Sequence, residues 1–366
     1  VSDTSMDDAL NNVGVGYASL GALTQGNNNV AIGKNALLAL TTGGQNIAIG
    51  SNALTAANAA ESWNIAIGYD AMVNLDHDDA TRNIAIGHYA MDDLDSIQGA
   101  HTDNIFIGYE AGSGAWDTAV STHNVGIGNY TLDAAMNGAL YNTTVGYASL
   151  SAIIDGDNNV ALGYAAGNDL TSGSDNVFIG MEAGDKTSAV GKTVIIGGDS
   201  GGANMTSTAD GSICIGYGAG NVLTTGAHNT LIGYEAGHDI VSGHNNVFVG
   251  YQAGDKSSAV GFSVIIGEGA GGADMTATAD GTVAIGYTAL AAVTSGESNG
   301  ANTAVGYQAG MAITDGSYNV LLGYDTGKAL VSGDSNVFVG WKAGQTIDNA
   351  SHNIAIGHNC MSTSSN

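Results

Sequence analysis

Hydrophobic and polar positions follow one short phrase throughout this chain: a short polar residue, a β-branched residue, a small or apolar one, an aliphatic one, then glycine. It reads NVAIG at residues 29–33, NIAIG at 46–50 and NVLLG at 319–323. Aligning on the closing glycine gives twenty copies, from Gly16 to Gly357, mostly seventeen residues apart and never more than twenty-one. A self-similar period of this length indicates one small unit stacked many times. Three places before the glycine stands Val, Ile or Thr in all twenty copies, and one place before it Ile, Val or Leu. Two such residues separated by one are the period-2 mark of a strand with a buried face. The residue between them is also small or apolar (Ala31, Phe178, Cys214, Leu231). A strand apolar on both faces is covered on both, as in parallel stacks.

The other columns complete one coil. Four before the glycine, sixteen copies carry Asn, and Thr193, Ser212, Ser263 and Thr282 fill the rest. Stacked coils place such side chains in ladders, and an interior Asn is tolerable only when paired. Asn29, Asn46, Asn64, Asn159, Asn229 and Asn319 are therefore expected at one corner, each amide bonded to its neighbour or to a turn backbone group. After the glycine comes Tyr in eleven copies, and a small residue (Ala, Ser, Thr or Cys) always stands third, marking a tight corner. An aliphatic residue seven places on (Leu23, Leu40, Ile153, Leu170) and a glycine at the tenth predict a second, short strand and a turn. The expected fold is all-β: a parallel β-solenoid, or β-roll, of about twenty coils of 17–21 residues. Residues 1–366 read as one continuous repeat array, with 358–366 its C-terminal end. Residues 176–220 recur at 246–290, as if four coils were copied as a block.

The absence of proline fits this fold, because a proline in a central strand deletes a ladder donor. A coil this small encloses little interior, so an apolar face is left over for a partner. The column holding Phe106, Phe178, Phe248 and Phe338 either forms that partner face or fills wider coils. The Tyr column is either packing or, if outward, a stripe suited to stacking on sugars.

Charge narrows the partners. Thirty-four acids against seven bases give a formal charge of −27. That opposes binding to nucleic acid, whose phosphates need clustered Lys and Arg, and docking on anionic lipid. No apolar run approaches the ~18 residues of a membrane helix. No basic-then-apolar signal segment opens the chain, and its start at Val1 reads as a processed or partial chain. Two cysteines, Cys214 and Cys360, make no disulfide framework. His358 and Cys360 read as ordinary column residues. Loop acids offer hard oxygens for calcium at Asp155 and Asp157, and at Asp76, Asp78 and Asp79, but no complete calcium-loop motif accompanies them. Solvated acids are the simpler reading, and no cofactor is expected. Carboxylates for polysaccharide cleavage could only come from the acid-rich insertions between Leu75 and Asp103, and no nucleophile or phosphate-cradling motif occurs. Coils of seventeen do not keep the register of a hexapeptide acyltransferase, and no flat Thr array suits ice binding.

The stretches NNVAIGKNALLALTTGGQNIAIGSNAL (28–54) and NTAVGYQAGMAITDGSYNVLLGYDTG (302–327) carry a resemblance. They resemble the head repeats of trimeric autotransporter adhesins and, more nearly, the repeats of bacteriophage tail fibres and related surface proteins. The resemblance covers about residues 12–360. It implies a homotrimeric rod of β-rolls around an axis and a non-enzymatic, extracellular fibre shaft, either a virion tail fibre or a bacterial surface adhesin head. The partners it implies are identical chains and a cell-surface glycan or protein receptor.

Overall fold

The computed structural model describes residues 8–58, 60–77, 79–93, 100–116, 119–294 and 300–362. The protein is an all-β parallel solenoid of twenty three-residue strands, one per coil, with no α-helix among the described residues. The chain divides into two compact units, Val1–Ala189 and Val190–Asn366. In the first, β1 (Val13–Val15) to β10 (Val177–Ile179) each pair in parallel with the next. In the second, β11 (Val194–Ile196) to β20 (Ile354–Ile356) do the same. Equivalent residues are in register, as in Val30↔Ile47 and Ala31↔Ala48.

The glycine that ends each strand is required by its backbone. Gly50 has φ 143°, and a Cβ there would sit 2.0 Å from the carbonyl oxygen of Gly68 in the next coil. No L-residue with a side chain fits that approach.

Among the described residues the second strand expected seven to ten places after the glycine is not formed; the chain runs in turns and bends there. The reason lies just upstream. Residues two and four past the glycine take the left-handed conformation, as Ala18 (φ 55°) and Leu20 (φ 53°) do. That alternation curls the chain too tightly for an extended strand. Coil-to-coil hydrogen bonding survives all the same: Leu20 donates to Ala36 O at 3.1 Å, Ala22 to Leu38 O at 3.0 Å and Thr24 to Thr41 O at 2.9 Å. Both arms of a coil therefore consume backbone N–H groups, which is why proline is excluded.

The interior decides between the two readings of the Phe column in favour of the filled coil. Phe106, Phe178, Phe248 and Phe338 are fully buried inside the roll and form no partner face. Each strand from β2 to β20 buries its central residue, while the pair on either side is half-buried or exposed and points outward; in β1 all three residues are exposed. Interior volume is balanced between two columns. Where the strand centre is Ala48, Ala66 or Ala85, the residue four past the glycine is Leu54, Met72 or Met91, all fully buried. Where it is Phe106, Phe248 or Phe338, that residue is Gly112, Gly254 or Gly344, and a Cβ there would lie 2.5–2.9 Å from the ring. Two alanine-centred coils break the pairing, those with Gly167 and Gly310. There the space is taken by Phe178 and Leu321 of the following coil, within 2.7 and 2.6 Å of a would-be Cβ. The sum is held constant, as close packing demands.

The sequence duplication has a structural counterpart. The two 3-10 turns, Ser207–Ala209 and Ala277–Ala279, are seventy residues apart. So are the capping bonds from Gly191 N to Asp210 Oδ1 (2.7 Å) and from Gly261 N to Asp280 Oδ1 (2.6 Å).

Candidate functional site

Three columns run from coil to coil and define what the surface can do. The first is internal. Asn159 is fully buried; its N–H and its Nδ2 donate to Asn142 Oδ1, both at 2.9 Å, and its Nδ2 donates again to Gly173 O at 2.9 Å. Its own Oδ1 accepts from Asn176 N (3.1 Å) and Nδ2 (2.9 Å). Every polar atom of the amide is satisfied, as a buried amide requires. Asn46 bonds Asn29 the same way, Asn64 takes its N–H to Asn46 Oδ1 and its Nδ2 to Ala80 O, and Asn319 bonds Asn302 and Gly333 O.

Hydroxyl members keep the ladder with shorter reach. Ser263 Oγ accepts from Thr282 N at 3.2 Å and donates to Gly261 O, two residues back. Thr282 Oγ1 donates to Ala279 O, in the 3-10 turn just before it. In these two a turn in the same coil has replaced the following coil as the acceptor, whereas Ser212 Oγ still donates to Gly226 O of the following coil at 3.3 Å. Asn229 takes its N–H to Ser212 Oγ at 3.3 Å and its Nδ2 to Gly226 O and Gly243 O.

The second column is the outward apolar face. Ile32, Ile127, Val145, Val160, Leu162 and Ile266 are each more than a third exposed, although they lie in central strands.

The third is aromatic. Tyr217, Tyr234 and Tyr251 stack with centroids 5.5 and 5.2 Å apart and planes within 19° and 9° of parallel. Tyr287, Tyr307, Tyr324, Trp341 and His358 continue the same arrangement as five successive rings. All these tyrosines are 41–51% exposed, so the column is outward. Within one segment of the first unit the stacking changes. Tyr69, Tyr89, Tyr109, Tyr130 and Tyr147 meet edge to face, with interplanar angles of 78°, 87°, 72° and 70°. Tyr89 and Tyr130 stand two places past their glycines instead of one, behind His88 and Asn129, in a left-handed conformation (φ 59° for both). That one-residue shift in alternate coils was legible in HYAM and NYTL, yet reading only the first place missed both residues.

Beside this segment lies an open cleft of about 620 Å³ bounded by Asn74, Tyr89, Asp92, Asp93, Tyr109, Glu110 and Ser113. Asp92 Oδ1 is buried with no hydrogen-bond partner among the described residues. Burial, with lesser repulsion from Asp93, Glu110 and Asp70, raises the Asp92 carboxyl to about 6. Its hydrogen bond to Glu110 is the main cause that pushes the Tyr109 phenol up to about 12. Asp133 is also raised to about 6, by burial and then by Glu110. Asp92 lies within the acid-rich stretch between Leu75 and Asp103 weighed in the sequence, of which residues 78 and 94–99 fall outside the described residues, and Glu110 lies beyond it; neither Asp92 nor Glu110 was singled out.

The calcium candidates are dispersed. Asp157 Oδ1 accepts the Leu140 N–H at 2.8 Å, Asp155 and Asp79 are exposed, Asp76 is partly so, and Asp78 lies outside the described residues. No cluster of three or more His, Cys, Asp or Glu suited to a metal occurs among the described residues. Cys214 is buried, its thiol pushed up to about 12 by desolvation, and Cys360 is also a free thiol. His358 lies against Trp341 at 4.5 Å. No helix among the described residues is long and apolar enough to cross a membrane. No protein-family model matches the chain, and no curated protein matches it significantly.

Proposed function

We propose that the chain is a non-enzymatic fibre segment of an extracellular adhesive appendage, a viral tail fibre in the first reading, built by three copies associating through the outward faces of their strands. The observation that carries this is the unpartnered apolar face. Each of the ten strands of a unit turns two aliphatic or β-branched side chains outward, half-buried or exposed, in columns that run from coil to coil. A strip of that size matches the ~20–30 residues a side of a stable interface. Exposed contiguous apolar surface of this extent marks an association site. The parallel in-register strands and their regular repeat favour another copy in the same register. The other reading is the head of a bacterial trimeric surface adhesin, which would use the same face. A glycan or protein on a cell surface is the receptor class for either.

Sedimentation equilibrium of the chain at micromolar concentration tests the assembly. A trimer is expected, and Ile127→Glu with Ile266→Glu, both outward and on central strands, should shift it to monomer with the β circular dichroism kept. A chain that sediments as a monomer before substitution removes the reading. Electron microscopy of source particles, labelled with an antibody to the chain, separates virion fibre from bacterial surface.

A further inference from the structure

Stacking of aromatic rings along a solenoid has opposite consequences depending on the angle. Where planes are near parallel, as in Tyr287–Tyr307–Tyr324, each ring covers its neighbours' faces and presents mainly edges to solvent. Where successive rings are perpendicular, a ring that meets its neighbour edge-on keeps its faces out of the stack. The only described segment with that arrangement is Tyr69 to Tyr147, and the cleft opens beside two of its members, Tyr89 and Tyr109. Across the 87° Tyr89–Tyr109 pair the ring that turns its edge to its partner keeps its own faces clear of that contact, so the cleft combines a ring face with planar polar side chains, Asp92, Glu110 and Asn74, one of which has a buried oxygen without a partner. It is also local, unlike the tyrosine column as a whole.

We propose that this cleft binds a neutral hexose oligosaccharide, with the edge-on ring of the Tyr89–Tyr109 pair packing on a sugar C–H face and Asp92, Glu110 and Asn74 hydrogen-bonding its hydroxyls. A pyranose has an apolar face and a rim of hydroxyl donors, and this cleft offers the complement of both. Hydroxyl donors to a carboxylate form charge-assisted bonds, stronger than neutral ones. The volume falls within the ~300–1,000 Å³ of ordinary ligand clefts. Neutrality follows from the surroundings: Asp70, Asp93 and Asp133 add to the negative field of Asp92 and Glu110, which repels uronic and sialic acids. The carboxyl of Asp92 is ionised at neutral pH, so it is an acceptor there. This inference deepens the adhesive reading and rests on it.

Isothermal titration of the full chain at neutral pH with cellohexaose, maltohexaose and hexagalacturonate tests the proposal. Saturable binding of at least one neutral hexasaccharide, and none of the uronate, is expected. At least one of Tyr89→Ala and Tyr109→Ala should weaken it by about tenfold, the equivalent of losing one ring contact, and the variant with the larger loss marks the ring that presents its face. Tyr307→Ala, taken from a parallel stack, should leave it unchanged. No binding of either neutral sugar, preferred binding of the uronate, or equal loss in Tyr307→Ala would overturn the proposal. Sedimentation of the same samples reports assembly separately, so a failed sugar site and a failed trimer are told apart.

Discussion

Asn159 shows how one residue type comes to dominate a column. Only a side-chain amide can accept two hydrogen bonds from the following coil and donate two more, to the Asn of the preceding coil and to a turn carbonyl. Asp lacks the donor, and Gln is longer by a methylene in a site with no room. Ser263 and Thr282 manage with one oxygen because their own turns come within reach. Replacing Asn159 by Leu removes the side-chain acceptor of the Asn176 N–H and the side-chain donor to the Gly173 carbonyl inside the roll. The expected cost is ~1–3 kcal/mol, read as a lower urea midpoint, with Asn159→Ser losing less. Equal midpoints for Asn159→Leu and the parent chain would show that the ladder adds nothing to stability.

At the scale of the coil, the repeat, its strand, its closing glycine and the polar ladder were all legible in the residues, because each is imposed by backbone geometry that repeats. Which face of the strand turns inward was not. Val30 and Ile32 are more apolar than Ala31, so hydrophobicity alone puts the wrong pair inside. The cue that does distinguish the faces is compensation: a column that varies from Gly126 to Phe106 is interior only if another column varies against it, and Gly112 and Leu132 do so. The missing second strand was equally hidden, since left-handed Leu20 and Leu37 carry no glycine to announce them. Compensation yields a sharp test. Phe248→Ala should cost about 3–5 kcal/mol by leaving a cavity. Gly254→Leu alone should also destabilise, because its Cβ would lie 2.7 Å from the Phe248 ring. Together they recreate the Ala48–Leu54 pair, in which Leu54 already holds φ 52°, so the double variant should recover most of the loss. Additive losses in the double-mutant cycle would refute the pairing.

For the whole molecule the deciding quantity is charge. Seven Lys and Arg cannot pair thirty-four acids, so acid weakens few ion pairs here, whereas in most proteins it breaks many. Arg82 holding the Asp103 carboxyl down is such a pair, and its stabilisation is lost only as pH falls through that depressed value. Asp92 and Asp133 act in the other direction. Their folded values of about 6 exceed the ~3.9 of an unfolded Asp, so the stability they allow is complete below about pH 4 and is lost as pH rises through 6. His101, whose value burial lowers, opposes this below about pH 6.5, but it is one group against four, since burial also raises Asp185 and Asp255. Relief of self-repulsion at a charge of −27 adds to these aspartates. The melting temperature should therefore rise between about pH 7.5 and pH 5, above the region near the isoelectric point of about 4.1 where association would interfere. Asp133→Asn, isosteric and uncharged, should raise the melting temperature at pH 7.5 and shrink the rise toward pH 5, because it removes the buried charge without touching the packing. A melting temperature that falls over that interval, or an Asp133→Asn chain with the parent's pH slope, would show that these buried carboxylates do not govern the acid response.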